Sequence, residues 1–107
     1  MNLPDENVFG HRKKLSFIRE QIARFIDSHP GERVKILDVG CSNGQHVTIH
    51  LGDFDAEILA IDTHAQSIGY AKEHNPFTDK IEFRCERVEQ LPQEDKFDIA
   101  LLADILE

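Results

Sequence analysis

Apolar residues along this chain follow two different periods. Leu15, Ile18, Ile22, Phe25 and Ile26 recur three and four residues apart, which predicts an amphipathic helix over residues 12–28. His29-Pro30-Gly31 stops that helix, and residues 1–10, with Pro4 and Gly10, read as a loose arm. Beyond residue 32 the period changes. Residues 34–39 are β-branched and apolar enough for a strand buried on both faces, as in a parallel sheet. A turn with two glycines follows at 40–44, then a short helix carrying Val47 and Leu51. Residues 57–61 form a second strand that ends in Asp62. Thr63 with Gln66 fits a capping box, opening a helix that runs to His74 before Asn75-Pro76 ends it. Residues 81–85 form a third strand, Leu91-Pro92 a turn, and residues 97–103 a fourth strand. Strands alternating with helices predict an α/β fold, a parallel sheet with helices on its faces. The expected organisation is an arm and helix over 1–32 and an α/β domain over 33–107. The fourth strand is apolar at Ile99, Ala100, Leu101, Leu102 and Ala103 and asks for neighbours on both sides. The chain is therefore expected to be truncated there, or its edge covered by a second copy.

Charge narrows the partners. Twelve Lys and Arg against twenty Asp and Glu give 107 residues a net charge of −8. Residues 1–54 are balanced, seven against seven, so the excess lies in residues 55–107, where thirteen acids face five bases. His11-Arg12-Lys13-Lys14 is the one basic cluster. A nucleic-acid partner is not expected, because phosphate contacts need clustered Lys and Arg. No apolar run approaches the roughly 20 residues that span a bilayer, so no membrane partner is expected either. Cys41 and Cys85 are too few for a disulfide framework and lack CxxC spacing. These features lead to the expectation of a cytoplasmic protein.

The strongest chemical signal is VKILDVGCSNG, residues 34–44, with Asp62 eighteen residues after Gly44. A buried strand, a Gly-containing turn and a following helix place free backbone N–H groups at the carboxyl edge of a sheet. That arrangement suits an anionic group of a nucleotide-like ligand. Gly40 and Gly44 permit positive φ and close approach of a ligand to the backbone. An acid at the tip of the next strand, Asp62, can accept hydrogen bonds from both hydroxyls of a ribose.

In these segments the chain resembles the class I S-adenosylmethionine-dependent methyltransferases. Asp38, Gly40, Ser42 and Gly44 occupy the four positions of that family's D-x-G-x-G-x-G motif. Asp62, after EILAI, matches its ribose-binding acid, and FDIALLADILE at 97–107 resembles its fourth-strand segment. The resemblance implies a Rossmann-like sheet with strand order 3-2-1-4 and S-adenosylmethionine as cofactor. It places Gly40 and Gly44 along the methionine portion, with Cys41 a small residue of the same turn. Asp38 would orient the loop near the amino group, Asp62, with Thr63 beside it, would hold the ribose, and Ala103 and Asp104 would lie near the donor methyl. Ser42 stands where the family has its middle glycine, so a Cβ and a hydroxyl face the ligand. In CERVEQLP the position of the adenine-capping acid holds Arg87, which has no acceptor. By the same resemblance Glu86 next door would take that role, and the Val88 backbone would meet the ring. The implied function is methyl transfer to a small-molecule acceptor. The residues expected to form the acceptor's pocket come after the fourth strand, so no catalytic residue is assigned.

Three weaker signals are read blandly. His46 and His50 lie four apart, but HExxH is not met and Asp53 is a poor third ligand, so no metal is expected. Asp104 and Glu107 form D-x-x-E, which resembles the E-x-x-E-H segment that binds a divalent metal in some small-RNA and quinone O-methyltransferases, but the string is common in members of the family with no metal. Cys41 precedes a helix N-terminus, a position that lowers thiol pKa, yet no histidine is placed as its base. Two rival functions remain. One is a non-catalytic ligand-binding or interaction module that kept the fold. The other is a nicotinamide-binding Rossmann domain, whose G-x-G-x-x-G meets only Gly40 of Gly40, Ser42 and Gln45.

Overall fold

The computed structural model describes residues 3–102, with side chains from residue 12 onward. It comprises two compact units, Met1–Glu32 and Arg33–Glu107. The first is one helix, α1, Leu3–Ser28. It begins nine residues earlier than the apolar stripe predicts, so the expected arm is helical from Leu3. Pro4 falls in the first turn, where its missing N–H has no partner to lose, and one interior glycine costs a helix only about 1 kcal/mol. Beyond Ser28, Gly31 turns the chain with φ 82°.

The second unit is a four-stranded parallel sheet: β1 (Val34–Val39), β2 (Ala56–Asp62), β3 (Ile81–Cys85) and β4 (Ile99–Leu101). The strand order is β3-β2-β1-β4, as the family resemblance implied. β1 and β3 have the expected bounds, β2 gains a residue at each end, and β4 is shorter. Register explains which face each residue takes. Val34, Ile36 and Asp38 pair with Ala56, Ile58 and Ala60, and Ile58 and Ala60 pair in turn with Ile81 and Phe83. Helix α2 (Ala65–Glu73) buries Ile68 and Ala71 and completes that layer. On the opposite face Leu37, Leu59 and Ile61 form a cluster covered by Val39, Leu91 and Phe97. Burying each such aliphatic side chain contributes roughly 1.5–3 kcal/mol.

Two short stretches differ from expectation. The helix after β1 is a single 3₁₀ turn, Thr48–Leu51, with His46 outside it. The expected capping box at Thr63 is absent. His64 caps α2 instead, its Nδ1 accepting the Ser67 N–H at 3.2 Å. The shift has a local cause. Asp62 Oδ1 accepts the His64 N–H at 2.9 Å, which spends Thr63 inside an Asx turn.

Phe97-Asp98 fastens the last strand. Phe97 packs on the Leu37 cluster. Asp98 brackets Lys35, accepting its N–H on Oδ2 at 2.8 Å and donating its own N–H to the Lys35 carbonyl at 2.8 Å. Asp98→Ala keeps the second bond and loses the first. It should cost about 1–2 kcal/mol and raise hydrogen exchange in β4 ahead of the rest of the sheet, which amide exchange by NMR can read.

Candidate functional site

The carboxyl ends of β1, β2 and β3 are sewn together by backbone bonds. The Ile61 carbonyl accepts the N–H groups of both Gly40, at 2.9 Å, and Cys41, at 3.1 Å, while the Asp62 carbonyl accepts the Glu86 N–H at 3.1 Å. The chain leaves β1 through three left-handed residues, Gly40 (φ 76°), Ser42 (φ 55°) and Gly44 (φ 77°). Such residues turn the chain back sharply and suit glycine. Ser42 carries a Cβ in that region, at a cost of about 1 kcal/mol or more. The bond that holds it there comes from β2: the Ser42 N–H donates to Asp62 Oδ2 at 2.9 Å.

Asp62 thus anchors two loops, with one oxygen on the Ser42 N–H and the other on the His64 N–H. A carboxylate has about four acceptor positions, so each oxygen keeps one for a further donor. This geometry adds a second role to the one spacing suggests.

These strand ends enclose an open cleft of about 470 Å³, lined by Val39, Gly40, Ile61, Asp62, Thr63, Glu86, Arg87, Val88 and Glu89. Six residues singled out in the sequence (Gly40, Asp62, Thr63, Glu86, Arg87 and Val88) meet there. Val88 is 47% exposed, so an apolar side chain stands on the cleft wall. The Gln90 side chain fixes the backbone beneath it, Oε1 accepting the Arg87 N–H at 2.8 Å. Arg84 reaches Glu86 at 3.5 Å and Glu82 at 2.8 Å. Its hydrogen bond holds the Glu82 carboxyl below the ordinary carboxylate range. A second depression, of about 270 Å³, lies among charged side chains such as Lys35, Glu57 and Lys96. In open parallel sheets ligands take the carboxyl end of the strands, which favours the first.

The other expected residues lie elsewhere. Cys41 is buried at 2% exposure, so only its backbone belongs to the turn. Gly44 is also buried, and a Cβ there would lie 2.7 Å from Cε1 and Cζ of Phe83. Packing against β3 therefore demands glycine at this position, in addition to its φ. Asp38 is buried and accepts the Thr48 hydroxyl at 2.5 Å. Sequence reading missed Thr48. Its only signal is a hydroxyl ten residues beyond an acid that needs a donor. Ala103, Asp104 and Glu107 lie outside the described residues. Among the described residues, no three His, Cys, Asp or Glu side chains gather as a metal would require.

Several known proteins to which this chain is similar are named as methyltransferases. Residues 30–107 match the family model of a methyltransferase domain. The human mitochondrial ubiquinone biosynthesis O-methyltransferase is 34% identical over 104 residues, covering 88% of this chain and 28% of that protein. Its counterpart in Rhodopseudomonas palustris (strain BisB18) is 29% identical over 102 residues, covering 88% of this chain and 39% of that protein. This chain thus spans well under half the length of these curated relatives. Among solved structures, the bifunctional kinase-methyltransferase WbdD superposes with a TM-score of 0.68 at 30% identity, over 82% of this chain and 20% of that one. The plantazolicin methyltransferase BpumL, in complex with SAH, gives 0.51 at 29%, over 63% of this chain and 26% of that one. S-adenosylmethionine is the cofactor that accompanies this kinship. By sequence and by fold, the chain belongs to the methyltransferase-domain family.

Proposed function

We propose that residues 33–107 form the cofactor-binding part of a methyltransferase that acts on a small-molecule acceptor. The observation that carries this reading is the cleft at the ends of β1, β2 and β3, which gathers Gly40, Asp62, Glu86 and Val88. Its donor set fits S-adenosylmethionine. The two open acceptor positions of Asp62 match two vicinal hydroxyls. Glu86 offers a carboxylate to an exocyclic amino group, and Val88 with Ile61 offers apolar walls to a ring. Gly40, lacking a Cβ, leaves its backbone open to the amino-acid portion. Cleft volume lies within the 300–1,000 Å³ usual for small-molecule sites. When bound, the cofactor supplies a methyl group already activated as a sulfonium. What remains for the protein is alignment and, for some acceptors, removal of a proton. Asp38, Cys41, Ser42, Gly44 and Thr63 support the turn and the ribose side, and Ala103 and Asp104 keep the methyl-end role that the family resemblance implies. The names of the ubiquinone relatives support a small acceptor methylated on oxygen. A cytoplasmic setting and cover for the outer edge of β4 by a second copy belong to the same proposal.

Calorimetric titration of the 107-residue chain with S-adenosylmethionine and S-adenosylhomocysteine tests it. Saturable one-site binding that NADH does not displace is the expected result. A folded chain that binds neither ligand would remove the reading.

One observation favours a second reading, a non-catalytic module that kept the fold. The Asp62 carboxylate already serves two backbone donors, which is a structural use of the ribose-binding acid. The [4+2]-cyclase SpnF matches this chain with a TM-score of 0.56 at 27% identity, so the fold does not dictate methyl transfer. Methyl transfer by a longer protein containing this chain, against ligand retention without turnover, separates the two.

A further inference from the structure

We propose that Arg87 is a specificity-determining residue of the cleft, reading the base of the cofactor by donating to a ring nitrogen beside its exocyclic amino group. This inference rests on the reading that the cleft takes an adenosyl cofactor, and it assigns a role at a position where the family resemblance offers none.

Donors and acceptors are unevenly divided among the side chains that line the cleft. Asp62, Glu86 and Glu89 only accept, Thr63 does either, and Arg87 only donates. Carboxylates can hold hydroxyl and amino groups, but they repel the lone pairs of ring nitrogens. An adenine ring offers such lone pairs at N1 and N7, on either side of its amino group. Of the lining side chains, Arg87 is the charged donor that can meet them.

The guanidinium is kept from other uses. Acids outnumber bases thirteen to five over residues 55–107, and Glu86 and Glu89 stand beside Arg87 in the chain. Even so, among the described residues no carboxylate lies within ion-pair distance of it. Glu86 is engaged by a different base, with Arg84 Nη1 3.5 Å from its Oε1. Arg87 is extended, at φ −93° and ψ 154°, so it and Glu86 leave the chain in opposite directions. That divergence keeps the two charges from neutralising each other. The backbone, by contrast, is fixed. Gln90 Oε1 accepts the Arg87 N–H at 2.8 Å, and the Arg87 carbonyl accepts the Gln90 N–H at 3.0 Å. A fork of N–H donors on a fixed mount, unpaired in an acidic cleft, suits a planar acceptor edge.

Calorimetric titration with S-adenosylhomocysteine and its 1-deaza and 7-deaza analogues tests this, each analogue carrying C–H in place of one ring nitrogen. The wild-type chain should bind one of the two analogues about tenfold more weakly than the parent, the loss expected for one hydrogen bond from a charged donor. The weakened analogue identifies the nitrogen. Arg87→Met keeps the apolar stem and removes the donors, and the position is exposed, so the core is untouched. This variant should bind S-adenosylhomocysteine about tenfold more weakly than the wild type, yet bind the identified analogue as well as it binds the parent. Arg87→Lys returns a donor and should recover part of the discrimination. A role in folding, or attraction of the whole ligand by charge, would weaken parent and analogue alike and leave their ratio as in the wild type. That outcome overturns the inference, as does a wild-type chain that binds all three ligands equally. A folded wild-type chain that binds none of them overturns the cofactor reading itself, and this inference with it.

Discussion

Replacing Asp62 with alanine should abolish saturable binding of S-adenosylmethionine, a loss of about a hundredfold or more. Two hydroxyl groups donating to a carboxylate are each worth roughly 1.5–3 kcal/mol, and about 2.7 kcal/mol is already a hundredfold. The structure adds a second consequence. Asp62 Oδ2 holds the Ser42 N–H and Oδ1 the His64 N–H, so alanine also releases the left-handed turn at Ser42 and the entry to α2. The melting temperature should therefore fall by a few degrees, with faster amide exchange in residues 40–44. Asp62→Asn separates the two roles. Its one carbonyl oxygen can satisfy one backbone donor, and its NH₂ opposes the other. It should lose affinity as alanine does while keeping part of the stability. Titration and thermal melting on the same samples give both numbers. An Asp62→Ala protein that binds like the wild type would place the cofactor outside this cleft.

Gly44→Ala should be the most destabilising conservative change in the turn, about 2–4 kcal/mol, lowering the melting temperature by roughly 10–20 °C. Two penalties combine. The residue sits at φ 77°, where an L side chain is strained. Its new Cβ would also lie 2.7 Å from two atoms of the Phe83 ring, and Phe83 is 3% exposed on β3, with no room to swing aside. Gly31 provides the control. It has φ 82° but nothing within 4 Å of a Cβ, so Gly31→Ala carries the backbone penalty alone, about 1–2 kcal/mol. The difference between the two variants measures the steric part. Combining Gly44→Ala with Phe83→Leu should recover some of that part and none of the backbone part. Equal losses at Gly31 and Gly44 would show that Phe83 yields.

Much of the frame was legible in the residues alone. β1 and β3 are short apolar runs flanked by turn residues, and a parallel sheet buried on both faces requires just such runs. Strand order followed from the resemblance carried by VKILDVG, Asp62 and FDIALL, and Asp62 could be placed at a strand tip by counting. Local patterns of this kind need no knowledge of what lies across the molecule.

The rest was not legible in the pattern: the cap of α2 was settled by a local competition between neighbouring groups, and the other cases by partners farther along the chain. Thr63 with Gln66 reads as a capping box, yet Asp62 draws the His64 N–H to itself and moves the cap one residue on. Gly44 reads as room for a ligand, while its neighbour is Phe83, thirty-nine residues away. Ser42 reads as a substitution in a glycine motif, but its left-handed φ is held by a carboxylate twenty residues on. Asp38 reads as a family acid, and only the folded loop shows that Thr48 supplies its donor. Periodicity along the chain determines which segments become strands and helices, because burial of their apolar faces is a property of each segment. Which side chain satisfies a buried charge, or fills the space beside a glycine, depends on elements that meet only once the sheet is assembled.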